Sequence, residues 1–312
     1  MRNDLESSRS FTMTLGHRAV RDIRRDGFRQ LRNYVDMCAV LAKKDSQKHF
    51  FEYAQTVLER TDSLYYTLVR RLVEEVSEDR ICSVGINLGF DSLIYGVSHI
   101  RASERTDLSW LHVGICGTPG LERAVAAAEQ EFCYTWVLSL EEPLTDDTVA
   151  VFRAHPYTAF FLLAEPEQLT EETILRLEHC NNVVVLIFLH KPELTPEACA
   201  AACRMRRRRM FCGFLVDLGN DDAAEAFDAD WLDVITQYSL FCIYARKPDM
   251  SAEMSDQLHH QIVSSRRETV SVPIFLLDWE RDLRSLSCLT STSCTVGTCL
   301  PEGRTFPLQL GD

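Results

Sequence analysis

The chain has 312 residues, of which 46% are hydrophobic and 25% charged, and its formal net charge is −13. These values are ordinary for a globular protein with one large domain, with or without appendages. The acidic balance argues against non-specific nucleic-acid binding, because a phosphate backbone attracts basic surfaces.

The apolar segments of the chain indicate its location, and the location in turn indicates the state of its cysteines. Residues 1–20 contain no apolar signal core, and the longest central apolar run, Val183–Leu189, is too short to span a bilayer. We therefore expect a cytoplasmic protein that does not enter a membrane. Its 12 cysteines should then be reduced thiols, and most lie in apolar runs where they act as small hydrophobic side chains.

The first third of the chain has a helical pattern. Apolar residues recur at helical spacing within residues 1–80, which predicts two helices packed against a body rather than an independent domain. Residues 81–102 are apolar and contain three glycines. Here we expect a short extended piece followed by a helix.

A repeating strand–helix pattern begins near Ser109. The apolar runs are short, rich in β-branched and aromatic residues, and apolar on both faces, which is typical of parallel strands covered by helices. Threonines followed by acidic residues or proline mark the helix starts. Six strands are predicted, at residues 111–116, 135–140, 158–164, 183–189, 212–218 and 240–246.

Six such units with right-handed crossovers predict an α/β fold, a partial (β/α)6 barrel. A doubly wound sheet is the alternative topology. No glycine-rich GxGxxG or GxxxxGK turn follows any strand, so a dinucleotide or nucleoside triphosphate site is not indicated.

One basic run interrupts the acidic chain. It lies in the last turns of a predicted helix, where cations complement the helix dipole and remain solvated. An anion or nucleic-acid patch is the alternative reading. The run consists of Arg204, Arg206, Arg207, Arg208 and Arg209.

The tail from Val272 changes in character. The segment VPIFLLDWE predicts a further strand, and the remaining residues predict a β-hairpin whose turn is Pro301-Glu302-Gly303.

Two motifs link this order of elements to a known family. The turn after the second strand reads Leu140-Glu141-Glu142-Pro143, and the hairpin ends Arg304-Thr305-Phe306-Pro307. With six strand–helix units, residues 80–312 resemble the radical S-adenosylmethionine (SAM) superfamily, most of all its SPASM-type subgroup. The resemblance implies three parts: an N-terminal helical segment (1–80), a radical-SAM-like barrel (81–271) and a truncated SPASM-like tail (272–312).

The chain departs from that family at its chemical motifs. In the family, a CxxxCxxC loop after the first strand holds a [4Fe–4S] cluster through thiolates, and a GGEP turn follows the second strand. Here Cys116 is the only cysteine in the first loop, and both glycines before Glu142-Pro143 are replaced. The third strand ends in Glu165-Pro166, and Leu308 stands where a second tail cysteine is expected.

These departures predict a degenerate radical-SAM-like protein that has lost its cluster, binds no cofactor, and serves as a binding or regulatory scaffold for a peptide, protein or small metabolite. Two alternatives remain. One is a radical SAM enzyme that uses SAM and a [4Fe–4S] cluster held by a non-standard ligand set. The other is an enzyme with different chemistry at the barrel rim.

The rim is the default site, because function in (β/α) barrels lies at the carboxyl ends of the strands. A cysteine, a histidine and carboxylates there can build a nucleophile–base pair or a metal site. A weaker metal site is conceivable in the tail, from Cys288, Cys294 and Cys299. The candidate rim residues are Cys116, Glu141, Glu142, Glu165, His190, Asp217 and Arg246, with Lys247 beside the last of these.

Overall fold

The computed structural model describes residues 2–42, 45–103, 105, 108–267, 273–290, 295–299 and 305–309. A sheet of seven parallel strands runs through the middle of the chain. These strands are β1 (His112–Ile115), β2 (Thr135–Ser139), β3 (Ala159–Ala164), β4 (Val183–Leu189), β5 (Cys212–Leu218), β6 (Phe241–Arg246) and β7 (Phe275–Asp278).

The strands lie side by side in chain order, from β7 through to β1. A doubly wound sheet would reverse direction partway, so this order excludes the alternative topology and confirms the α/β fold with a partial barrel. Two further strands, β8 (Thr295–Cys299) and β9 (Thr305–Gln309), form the predicted antiparallel hairpin. The first of them adds to the sheet in parallel with β1. The turn residues 300–304 lie outside the described part of the chain.

The N-terminal segment forms three helices rather than the two predicted: α1 (Arg2–Leu41), α2 (Asp45–Glu59) and α3 (Leu64–Glu75). The first is a long helix interrupted at Asp26, whose φ of −143° and ψ of 50° are not helical. Val20 of α1 packs with Val73 of α3 in a small buried cluster. Polar links reinforce this packing, because the Arg24 guanidinium donates to the Val73 carbonyl at 2.7 Å.

The predicted extended piece within residues 81–102 is wrong, because this stretch is helical throughout. It comprises α4 (Glu78–Ile86), a π-helical segment (Asn87–Gly96) and α5 (Val97–Ala102). Gly96 is needed where the helix touches the sheet layer, since a Cβ there would lie 2.3 Å from the Phe132 carbonyl oxygen. The stretch is long and apolar enough to cross a membrane, with a mean hydropathy of 1.3, but it packs on the sheet.

Six helices cover the outer face of the sheet: α6 (Leu121–Gln130), α7 (Asp146–Ala154), α8 (Glu171–Leu177), α9 (Pro196–Arg207), α10 (Ala229–Tyr238) and α11 (Ala252–Arg267). Three of them start as the sequence predicts, with a threonine hydroxyl that accepts a backbone N–H. These capping residues are Thr145, Thr170 and Thr195.

The inner face of the sheet is also covered over part of its area. Val84 of α4 packs against Val184, Leu186 and Leu215. A helix that the sequence reading missed, α12 (Trp279–Thr290), closes the same face through Trp279. The hairpin was predicted to follow β7 directly, but residues 279–290 form this helix instead, because Trp279 and Leu283 find apolar partners on the inner face.

The arginine run is part of the fold. Arg204 donates to the Leu169 carbonyl at 2.8 Å, and Arg206 donates to the Gln237 carbonyl at 2.8 Å. Arg209 donates to the Val73 carbonyl at 3.2 Å. These side chains hold carbonyls of neighbouring elements, which favours a structural role over a nucleic-acid patch.

His112 on the outer face predicts acid sensitivity. Burial lowers its pKa to about 4 from the usual 6.5, and its Nδ1 has no hydrogen-bond partner. Between those pH values the unfolded chain therefore binds a proton that the folded chain does not. The contribution of His112 to the free energy of unfolding is full above pH 6.5, and we expect up to ~3 kcal/mol of it to be lost as the pH falls to 4.

Urea denaturation from pH 7 to pH 4 measures this loss. In His112→Phe the free energy of unfolding should change less with pH, whereas the exposed control His49→Gln should show the same pH dependence as the wild type. Equal slopes in the wild type and His112→Phe would contradict the assignment.

Candidate functional site

The two faces of the sheet separate the predicted rim residues. Side chains alternate along each strand. Leu162, Ile187 and Val216 face the outer helices, whereas Leu163 and Leu215 face the inner side. By the same alternation, three rim candidates that end neighbouring strands share the inner face: Glu165, His190 and Asp217. Together with Lys247 we name them the inner-rim cluster.

One pair within the inner-rim cluster, Glu165 and His190, is in direct contact. His190 Nε2 lies 3.4 Å from Glu165 Oε1. The Phe188 ring stands edge-on to the imidazole, with 4.8 Å between ring centroids. Glu165 is 39% and His190 72% exposed at the side chain, so the pair is open to a ligand. The cluster therefore combines ionisable groups with an apolar wall.

The carboxyls of the cluster are partly desolvated. Burial raises the pKa of Glu165, while His190 opposes the shift. Burial likewise raises the pKa of Asp217, and Lys247 and His190 oppose it. A cation that approaches either group would stabilise its charged form. The site therefore favours a positively charged ligand group.

Lys247 is held by a residue that sequence reasoning missed. Its Nζ lies 2.7 Å from Asp222 Oδ2, and the same oxygen accepts the Gly219 backbone N–H at 3.0 Å. This hydrogen bond to Lys247 holds the pKa of Asp222 below its usual value. The available signal was the Asp221-Asp222 pair, which follows the glycine at the end of β5.

Cys116 and Glu142 lie elsewhere, in a cleft of about 740 Å³ between α6 and α7. Cys116 faces the outer core, where it packs with Leu121 and Leu140. Burial raises the pKa of its thiol to about 12, so it is protonated at neutral pH and is not an activated nucleophile. Its outward position also separates it from His190, which removes the predicted Cys–His combination.

The remaining candidates have other positions. Glu141 is exposed at the end of β2. Arg246 is not available to a rim ligand, because its guanidinium donates to both carboxylate oxygens of Asp278 at 2.8 Å. The tail cysteines cannot be placed as a site, since Cys294 and the side chains of Cys288 and Cys299 lie outside the described residues.

Comparison with known proteins gives structural neighbours at low sequence identity. No family model matches the chain, and no curated protein matches it. Streptococcus suis SuiB bound to its precursor peptide SuiA aligns with a TM-score of 0.45 and 9% identity, over 55% of this chain and 49% of SuiB. SuiB bound to SAM gives 0.45 and 10%, over 55% of this chain and 47% of SuiB. The protein anSMEcpe with bound SAM aligns with a TM-score of 0.43 and 11% identity, over 64% of this chain and 71% of anSMEcpe.

These structural neighbours are described with a bound precursor peptide or with bound SAM. At such low identity the likeness concerns the fold alone, and in these alignments the chain spans about half the length of SuiB. The expectation that no cofactor is bound is nevertheless wrong on this comparison, because two of the neighbours were solved with SAM.

The two groups that the sequence resemblance implies, a [4Fe–4S] cluster and SAM, fit the chain differently. A [4Fe–4S] cluster does not fit the end of β1, where residues 116–120 supply one buried thiol. Among the described residues, no group of three His, Cys, Asp or Glu side chains is placed to hold a metal. SAM fits the inner-rim cluster in part, because Glu165 and Asp217 are acceptors for its ammonium, whereas Lys247 is already paired with Asp222.

Proposed function

We propose that this chain is a radical-SAM-like binding protein that holds a small amine-bearing ligand of the SAM type on the inner face of its sheet and carries no [4Fe–4S] cluster. The observation that carries the proposal is the convergence of Glu165, His190 and Asp217 beside Phe188 at the carboxyl ends of β3, β4 and β5.

Each part of such a ligand has a chemically matched partner. Glu165 and Asp217 are acceptors for an ammonium group, and charge-assisted hydrogen bonds of this kind are about twice as strong as neutral ones. Lys247 would meet a ligand carboxylate by exchanging its contact with Asp222. Phe188 and Leu163 present apolar surface on which a planar base can pack. The inner-rim cluster therefore suits a zwitterionic ligand that also carries an aromatic group.

Loss of the cluster is supported by the chemistry of Cys116. A [4Fe–4S] cluster is bound by several thiolates, whereas residues 116–120 supply the one thiol of Cys116, which is buried in the outer core. The Cys116 side chain faces the outer helices, so a cluster bound to it would not lie on the inner face beside the proposed ligand. We propose a scaffold role on this ground. The same proposal includes a peptide or protein partner, a cytoplasmic location and the three-part division of the chain.

Titration calorimetry with SAM on the full chain tests the ligand. The double variant Glu165→Gln/Asp217→Asn should weaken binding at least about tenfold, because two charge-assisted contacts are lost. Glu142→Gln, an exposed carboxylate in the outer cleft, is the matched control and should bind as the wild type does. Equal affinity in the double variant would refute the assignment of the site.

Iron analysis tests the other half of the proposal. After anaerobic purification and reconstitution with iron and sulfide, we expect no stoichiometric iron. Four irons per chain, with thiolate-to-iron absorption, would show that the cluster is retained through a different ligand set.

A further inference from the structure

An apolar groove lies on the flank of the N-terminal helices, between α1, α2, α3 and α11. Its volume is about 560 Å³, and Arg266 is the one charged residue among the described residues that line it. That guanidinium is already paired with Asp282. We name this feature the α2 groove. It offers a ligand apolar contact and no free charge.

The base of the α2 groove is preformed. The hydroxyls of Tyr53 and Tyr65 both donate to the Arg266 backbone carbonyl, at 3.3 and 3.0 Å. Arg266 also lies over the Phe275 ring, 5.5 Å from its centroid. These contacts hold α2 and α3 against α11, and the two tyrosine rings line the groove. An occupant therefore enters a shaped groove rather than having to open one.

One of the residues that line the same groove is a protruding apolar ring. Phe50 is 64% exposed and meets Phe51 edge-on, with 5.2 Å between ring centroids. Exposed apolar patches of this kind mark interaction surfaces. The patch thus carries both a projecting ring and a cavity able to receive one.

Such self-complementarity is what a two-fold interface requires, because the same patch must serve both partners. Charge supports the same occupant. Residues 1–76 contain 14 Lys and Arg against 11 Asp and Glu, whereas residues 77–312 contain 19 against 35. Two copies that meet through the N-terminal helices oppose two segments of net charge +3, whereas contact through the bodies would oppose two segments of net charge −16.

We propose that a second copy of this chain occupies the α2 groove, in a two-fold dimer in which Phe50 of each copy inserts between α2 and α11 of the other. Tyr53, at 44% exposure, borders the groove and would pack on the incoming ring. The proposal is independent of the ligand at the inner-rim cluster.

Sedimentation velocity of the full chain tests this assembly. The wild type should sediment as a dimer of 35.7-kDa chains. Phe50→Ser should weaken dimerisation by about 30-fold or more, as expected for a central aromatic anchor. Phe11→Ser removes an equally exposed ring, at 63%, from α1 outside the groove, and should leave the dimer intact.

Tyr53→Ser provides a second disruption if Phe50→Ser does not fold, and circular dichroism checks folding in each variant. A wild type that remains monomeric up to about 100 µM would overturn the proposal, because a specific interface of standard size is normally far tighter. A monomer that sediments with anionic vesicles would overturn it in favour of a membrane surface, and equal dimerisation in Phe50→Ser and Tyr53→Ser would overturn the assigned interface.

Discussion

Replacing Asp278 with alanine is expected to lower the free energy of unfolding by about 3–5 kcal/mol, because it leaves a charged partner buried without its counter-charge. The Asp278 side chain is fully buried at the end of β7. Its oxygens accept Arg246 at 2.8 Å, His259 Nδ1 at 2.8 Å and the Arg281 backbone N–H at 3.0 Å. One carboxylate therefore joins β6, β7, α11 and α12.

Urea denaturation measures the change, and Asp256→Ala is the matched control. Asp256 also pairs with an arginine, Arg281, but its side chain is 71% exposed. Exposed pairs contribute little because solvent screens them, so the control should lower the free energy of unfolding far less than Asp278→Ala does. A loss for Asp278→Ala no larger than that of the control would show that the buried network does not stabilise the fold.

This network also decides the role of Arg246. Sequence reading placed Arg246 among the candidate rim residues, because it ends a strand. The structure turns it outward to Asp278, and its backbone N–H donates to Glu280 at 3.1 Å. A variant that removes Asp278 should therefore change stability without directly removing a ligand contact at the inner-rim cluster.

Replacing Trp110 with alanine is expected to cost about 3–5 kcal/mol of unfolding free energy, since it deletes a large buried side chain. Trp110 is 3% exposed just before β1, and it packs with Val97, Ile100 and Val137. Its Nε1 donates to Ser287 Oγ of α12 at 2.9 Å. Trp110 thus links α5 and α12, which both pack on the inner face, to the start of β1.

Trp110→Phe separates the two contributions. The smaller ring keeps most of the apolar contact but loses the hydrogen bond to Ser287, which should cost about 1 kcal/mol for the bond, with a further small loss for the reduced volume. Chemical denaturation of both variants gives the comparison. A Trp110→Ala loss close to that of Trp110→Phe would show that packing at this position contributes little.

The strands and most outer helices follow from local sequence. A run such as Val183–Leu189 is buried on both faces, so every residue is apolar and the strand reads directly from composition. The threonine caps are equally local, because Thr170 satisfies an N–H only three residues away at Thr173. For the same reason the strand predictions agree with the structure within one residue at most ends.

The inner cover depends on contacts that are distant in sequence. Residues 279–290 and 81–86 have patterns that suit more than one local structure, and packing on the sheet selects the helix in each. Trp110 and Ser287 meet across 177 positions. Local propensity could not decide these elements, which is why the sequence reading placed a hairpin and an extended piece there.

The site divides in the same way. The amino-acid sequence alone determined that Cys116, Glu165, His190, Asp217 and Arg246 lie at strand ends, because strand positions follow from local apolar runs. Only the tertiary structure decided which of them meet, since the face of each side chain depends on strand register and on the helices packed there. A shift of one residue along a strand reverses the face, and this separates Cys116 and Arg246 from the inner-rim cluster.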